Sequence, residues 1–445
     1  MSVHPGSSRL WAGLFLLFSS MICAGENDWP RFRGPNGAGL SSSREIPTKW
    51  RPENFIWRTK IPGAGQGSPV VWGKRIFLLS AVSAGDDREA SPANKKVSGK
   101  KKAKRSRSAK PVQWVALCLD KTTGQILWTR KFKEGRFKGH RFNSPASSTA
   151  AVDGHRVIFT WGTPEALTMV ALSHEGETLW TSDLGPVVGG HGYAASPLLY
   201  GDLVILNNDQ EKQSGNLLAV DARTGKRVWT VPRHSERISY SVPCIYPTSD
   251  GDRLIFTNWQ HGFTALDPSN GKVIAEKSVF DTSTNERAIS SPVMAGSSLV
   301  IGTCGFTANP KQCVAMRLNG KEWTEVWKIE RNVPHIPSLI VVGGLAFLID
   351  DAGIGTCIEA SSGKQIWKAR IPDVEGKVFG SPVSDGKSLF FADETGTVHV
   401  IAVSRKFKYL ATNPLGEACK TTPALSEGIL YIRTAQTLFA LGQQG

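Results

Sequence analysis

Residues able to contact a polar ligand recur in this sequence just ahead of short proline-led segments. Arg141 and Asn143 precede Pro145, and His191 and Tyr193 precede Pro197. Tyr240 precedes Pro243, Arg287 precedes Pro292, and His335 precedes Pro337. Trp259 and His261 follow an apolar run, as do Asp350 and Asp351. Guanidinium, imidazole, amide and aromatic groups gathered in one concavity suit a polar or anionic ligand. Covalent chemistry finds less support. No Gly-x-Ser-x-Gly elbow presents a nucleophile, and no Cys-x-x-Cys or Cys/His spacing suits zinc. The glycines from Gly63 to Gly67 precede a strand with no helix after it, which argues against a phosphate cradle. Asp350 and Asp351 could share a hard cation or simply shape a turn.

These residues are positioned by a repeat. The anchors Pro69, Pro145, Pro197, Pro243, Pro292, Pro337, Pro382 and Pro423 are separated by 76, 52, 46, 49, 45, 45 and 41 residues. After the first, these gaps match the roughly 40–50 residues of one four-stranded propeller blade. The strands are short and β-branched, as in Val157 to Thr160 and Leu254 to Thr257, with Asp153-Gly154 and Asp385-Gly386 as turns. The period predicts an all-β, eight-bladed β-propeller. In such a ring the loops before the inner strands and after the second strands emerge on one face, which makes the residues above the mouth of a channel.

The last blade is one strand short at Leu438 to Leu441, and Asn54 to Ile61 can supply it. Trp57 then takes the slot held elsewhere by Trp128, Trp180, Trp229 and Trp367, where indoles pack blade against blade. Pairing the termini removes open sheet edges. Residues 25–53 are an N-terminal extension, and 54–445 the propeller.

Arg9, the apolar run Leu10 to Phe18 and the small residues before Gly25 predict a secretory signal over residues 1–24. The protein is expected to be exported, periplasmic or extracellular, and soluble once the signal is removed. The formal charge of +15 is concentrated in an insertion at about 83–112, with nine positive charges from Lys95 to Lys110. Without those and Arg9 the remainder carries +5, which removes the case for a nucleic-acid partner. The insertion's composition predicts disorder. Residues 94–110 could tether an acidic polymer or a membrane surface, or form a solvated loop. Cys304 and Cys313 flank one loop and either form a disulfide or stay as thiols.

The spacing Ala219-x-Asp221-x-x-x-Gly225-x-x-x-Trp229, repeated from Leu119 to Trp128 with Asp120 and Gly124, resembles the docking motif of PQQ-binding-like, quinoprotein-type propellers. The opening Asp28-Trp29-Pro30-Arg31-Phe32-Arg33-Gly34-Pro35 looks like that of exported bacterial proteins with such repeats. The architecture is also similar to that of BamB-type assembly scaffolds. The resemblance covers roughly residues 28–445 and implies blade packing rather than a cofactor. Quinoprotein alcohol dehydrogenases set a vicinal disulfide over PQQ and a calcium ion beside it, and this chain has no Cys-Cys pair. The expectation is a non-catalytic binding or scaffold protein, with an unidentified protein or small anionic ligand as partner. The alternative is a PQQ- and calcium-dependent oxidoreductase of alcohols or sugars.

Overall fold

In the computed structural model, residues 25, 27–41, 45–83, 110–140, 142–283, 286–305 and 311–443 are described. The predicted signal, most of the basic insertion and Arg141 lie outside the described residues.

The repeat is realised as eight antiparallel sheets on a four-strand path, sequential in all but the last, which the first strand of the chain completes, with a short fifth strand added to the first. Their inner strands begin at Val70, Ala151, Leu198, Cys244, Val293, Ile340, Val383 and Ala424, and these define blades 1 to 8. Two anchors therefore need correction. The residues equivalent to Pro69 in blades 2 and 6 are Ala150 and Leu339, not Pro145 and Pro337. Proline is tolerated there because its missing N–H faces no ladder partner, but nothing in the geometry requires it.

The position just before is more informative. Ser68 N–H donates to Thr149 Oγ1 and Thr149 N–H to Ser196 Oγ, both at 2.9 Å. Val242 N–H donates to Ser291 Oγ (2.9 Å), Ser291 N–H to Ser338 Oγ (3.0 Å), Ser338 N–H to Ser381 Oγ (2.9 Å) and Ser381 N–H to Thr422 Oγ1 (2.9 Å). Six such hydroxyl bonds tie inner strands to their neighbours, in a collar that lacks a step at Val242, which has no oxygen to offer, and another between Thr422 and Ser68.

At the periphery the blades dock through tryptophan. Each Asp-x-x-x-Gly turn is shaped by its aspartate, as where Asp221 Oδ1 accepts the Thr224 N–H at 2.8 Å. The turn's glycine has positive φ and lies flat on the indole of the preceding blade. A Cβ on Gly225 (φ 69°) would come within 2.5 Å of the Trp180 ring. The indole N–H then reaches a turn carbonyl: Trp128 to His174 (2.8 Å), Trp180 to Ala222 (2.9 Å), Trp229 to Pro268 (2.9 Å) and Trp367 to Ser404 (2.9 Å). Blade 4 carries Ala275 in that slot, and Trp323 of blade 5 covers it instead, its Nε1–H donating to Ala275 O at 3.4 Å.

Closure follows the expected route. The strand Phe55–Lys60 pairs antiparallel with the last strand, Thr437–Leu441. Trp57 then donates to Lys121 O of blade 1 at 3.0 Å. Glu417 fastens this join, accepting from Thr437 Oγ1 (2.8 Å) and from Lys60 Nζ (3.2 Å).

The extension does more than lead into that strand. Trp29 exchanges backbone hydrogen bonds with Val71 of blade 1, and Pro30 O accepts Val152 N–H of blade 2. Arg31 reaches Pro243 O of blade 4, Arg33 reaches Leu339 O of blade 6, and Ser384 N–H of blade 7 donates to Gly39 O. All these contacts fall at or beyond the collar along the inner strands. Residues 27–41 therefore cross the far end of the channel and close it.

Cys304 and Cys313 are both buried free thiols. Cys304 pairs with Gln312 and Cys313 with Thr303, so the two side chains point to opposite faces of one sheet. Cys304 packs with Trp259 and Phe263, and Cys313 with Trp327 and Leu348. Strand alternation, not distance along the chain, prevents the bridge.

Candidate functional site

With its far end plugged, the channel becomes a cup. Its volume is about 400 Å³, and Phe32 of the plug lines it from below. The collar residues Ser68, Thr149, Ser196, Ser338, Ser381 and Thr422 form the wall at that depth. Above them stand side chains from the loops that lead into the inner strands.

Asn143, His191, Tyr240, Arg287 and His335 all line this cup, as their place before the inner strands predicts. Tyr193, Trp259 and His261 do not. Tyr193 is packed in the core of blades 2 and 3 with its hydroxyl 3.4 Å from Thr160 Oγ1, and burial raises its pKa. Trp259 packs against Phe263 and donates to Asp281 O at 3.1 Å. His261 pairs with Glu276 at 2.9 Å, joining a buried network in which Arg233 bonds Asp209 at 3.0 Å.

The lining residues are held by one another. Asn143 Nδ2 donates to His191 O (2.8 Å), and Tyr240 Oη donates to Gly192 O (2.8 Å), which clamps that loop from both sides. The His191 ring stacks on His140 at 4.9 Å with 27° between planes. Arg287 Nη2 lies 3.2 Å from Glu211 Oε1 and 3.4 Å from His191 Nδ1. Asp351 accepts the N–H groups of His335 (3.2 Å) and Ile336 (3.1 Å), with Lys311 Nζ at 3.5 Å. Burial, together with Lys311, Arg287 and Lys377, outweighs the pull of Asp351 and lowers His335 to about 4, so its imidazole is neutral at neutral pH. Asp350 caps its own turn through the N–H groups of Ala352 and Ile354.

One rim differs from the rest. Lys377 and Lys420, from the loops entering blades 7 and 8, both lean over Phe142. Their ammonium groups lie 5.1 and 5.7 Å from its ring centroid, and Lys420 is 4.9 Å from that of Phe379. The two rings are themselves 5.5 Å apart. No carboxylate of the described residues pairs with either lysine within 4.0 Å. Sequence reasoning passed over both, although each sits in a stretch just before an inner strand, because lysine in a loop reads as solvated surface. Phe32 carried no signal at all, since its place depends on how the extension docks.

The arrangement does not fit a calcium–quinone pair. Among the described residues Asp351 is the one carboxylate on the cup wall, it is already engaged, and no tryptophan lines the cavity. Among the described residues no group of three or more His, Cys, Asp or Glu side chains could hold a metal ion. What the wall offers is cations, imidazoles and hydroxyls.

Comparison with solved structures returns the same architecture at low identity. BamB from Moraxella catarrhalis superposes with a TM-score of 0.59 at 14% identity, over 88% of this chain and 98% of that one. A europium-containing methanol dehydrogenase gives 0.51 at 12% identity, over 85% and 90%. The quinohemoprotein alcohol dehydrogenase from Comamonas testosteroni gives 0.51 at 13%, over 94% and 81%. These likenesses carry the fold alone. Among curated proteins, none matches this chain. Residues 112–369 match the family described as outer membrane protein assembly factor BamB, and over that majority of its length the chain belongs to this family.

Proposed function

We propose that this protein is an exported, non-catalytic binding propeller whose plugged channel seats an anionic group of its partner, whether a small molecule or an acidic protein segment. The observation that carries this reading is the pair Lys377 and Lys420, held over Phe142 and Phe379 with no carboxylate of the described residues paired to either. Two half-buried ammonium groups beside aromatic faces favour an incoming anion with a flat apolar body. Arg287 and the His140–His191 stack line the same cup and add further nitrogen donors. PQQ, an aromatic polycarboxylate, belongs to that ligand class. Binding it here would not require calcium, and no redox turnover is expected.

The test is a titration of the purified protein with benzene-1,3,5-tricarboxylate and with its neutral triamide. The native protein should prefer the trianion, and Lys377→Ala/Lys420→Ala should weaken binding at least ~10-fold, as expected for losing two charge-assisted contacts. Dye reduction that requires PQQ, calcium and an alcohol would overturn the non-catalytic reading.

The basic insertion is proposed as a separate tether. The hairpin Arg75–Ser83 and Lys110–Asp120 that carries it pairs with Gly135–Phe137, and Phe137 touches Gly192 at the cup rim. Deleting residues 90–110 should abolish retention on a heparin matrix. Unchanged retention would reduce the insertion to a solvated loop.

A further inference from the structure

Beneath Phe32 the plug holds a second concentration of donors, which the cup does not use. Arg33 is fully buried and Arg31 is 4% exposed. Each guanidinium makes its short bond through Nη2 alone, at 2.7 Å to Pro243 O and to Leu339 O respectively, with Ala38 O a further 3.4 Å from Arg33 Nη2. The Nε and Nη1 atoms of both, together with Trp29 Nε1, are buried and have no hydrogen-bond partner among the described residues. Five N–H-bearing atoms within five residues of chain thus face no acceptor. Neither arginine has a carboxylate of the described residues within ion-pair distance, in contrast to Arg233, which meets Asp209 at 3.0 Å in the same molecule.

Carbonyl contacts do not neutralise a guanidinium. Two buried cations without counter-charge, two residues apart in the chain, are among the most unfavourable arrangements a folded interior can hold. The two charges also act on each other: burial and then Arg31 lower Arg33 to about 9. Water could satisfy the N–H groups, but only an anion also cancels the charge. The surroundings favour one as well. Pro243 and Leu339 directly follow the collar residues Val242 and Ser338, so the guanidiniums are anchored one residue below the ring of hydroxyls. Thr149, Ser196, Ser291, Ser338, Ser381 and Thr422 each accept an N–H through that oxygen and donate to no acceptor among the described residues.

We propose that the closed end of the channel holds a small inorganic anion, a halide or a compact oxyanion, bound between the guanidiniums of Arg31 and Arg33 under Phe32. It would link the plug to blades 4 and 6 at once and stabilise the closed floor of the cup. This site is independent of the ligand at the rim, and either proposal can fail without the other.

The full-length mature protein, exchanged into chloride-free gluconate buffer, is titrated with sodium bromide and, separately, with sodium phosphate at constant ionic strength. A saturable rise of a few degrees in Tm is expected with the anion that fits, following the usual linkage of binding to stability. The same titration on Arg31→Gln/Arg33→Gln should be flat. Crystals of the native protein grown in bromide supply a readout that does not depend on the variant folding. A bromide anomalous peak, or oxyanion density from phosphate-grown crystals, within hydrogen-bond reach of both guanidiniums supports the site. Density explained by water alone in both crystals, or an equal anion response in native and variant proteins, overturns it.

Discussion

Asp393 illustrates what single residues contribute to this ring. It follows the second strand of blade 7, where it meets His399 Nε2 at 3.1 Å, Thr395 Oγ1 at 2.6 Å and Glu375 N–H at 3.0 Å. Burial pushes its carboxyl up, but these hydrogen bonds outweigh it and hold the pKa at about 2. A carboxylate depressed below its unfolded value stabilises the fold above that value and loses its contribution as pH falls through the folded one. Asp393→Asn should therefore cost about 2 kcal/mol at pH 7. In urea unfolding the gap to the native protein should narrow between about pH 4 and pH 2, and a gap that stays constant would refute the assignment. Gly225 makes the complementary case by backbone and space. Gly225→Ala combines positive φ with contact against Trp180, and should destabilise by about 2 kcal/mol or more. A surface glycine such as Gly386, also at positive φ but with nothing near its Cβ position, separates strain from clash.

At the level of strands and turns, most of what holds the blades was legible. The Asp-x-x-x-Gly-x-x-x-Trp spacing places an aspartate to shape the turn, a glycine to lie flat and an indole to cover it, all within one local stretch. Trp323 was not legible, because it compensates for Ala275 from the next blade, 48 residues away. Truncating it exposes that dependence: Trp323→Ala should cost about 3–5 kcal/mol in equilibrium unfolding, the usual range for a buried tryptophan. A loss of under ~1 kcal/mol would mean that the Ala275 slot does not depend on it. The collar was hidden for a similar reason. Ser and Thr before an inner strand look like ordinary turn residues, and their partners are a whole blade away. Pro145 and Pro337 misled the alignment because proline marks the region of the strand entry without fixing its register. Of the candidate site residues in loops before inner strands, Asn143, His191, Tyr240, Arg287 and His335 line the cup, whereas Tyr193 turns into the core. Trp259 and His261, after a second strand, face blade interiors and neighbouring acids. A loop after a second strand can turn inward or outward, and sequence pattern does not distinguish the two.

The whole molecule is a ring closed twice, once by a strand and once by a plug. The first closure recruits Phe55–Lys60 into blade 8, so deleting residues 54–61 should lower the thermal unfolding midpoint of the entire propeller. A truncated protein that unfolds like the native one would contradict that closure. The second closure turns a channel into a cup, with Phe32 as its floor and two unpaired ammonium groups on its rim. The central claim is that this cup recognises negative charge without performing redox chemistry. Calorimetric titration of benzene-1,3,5-tricarboxylate against its triamide tests it most directly, run on the native protein and on Lys377→Ala/Lys420→Ala. Saturable binding of the trianion, at least ~10-fold tighter than the triamide and lost in a variant that melts like the native protein, is the predicted result. Equal affinity for the two probes, or trianion binding unaffected by the lysine substitutions, would contradict it.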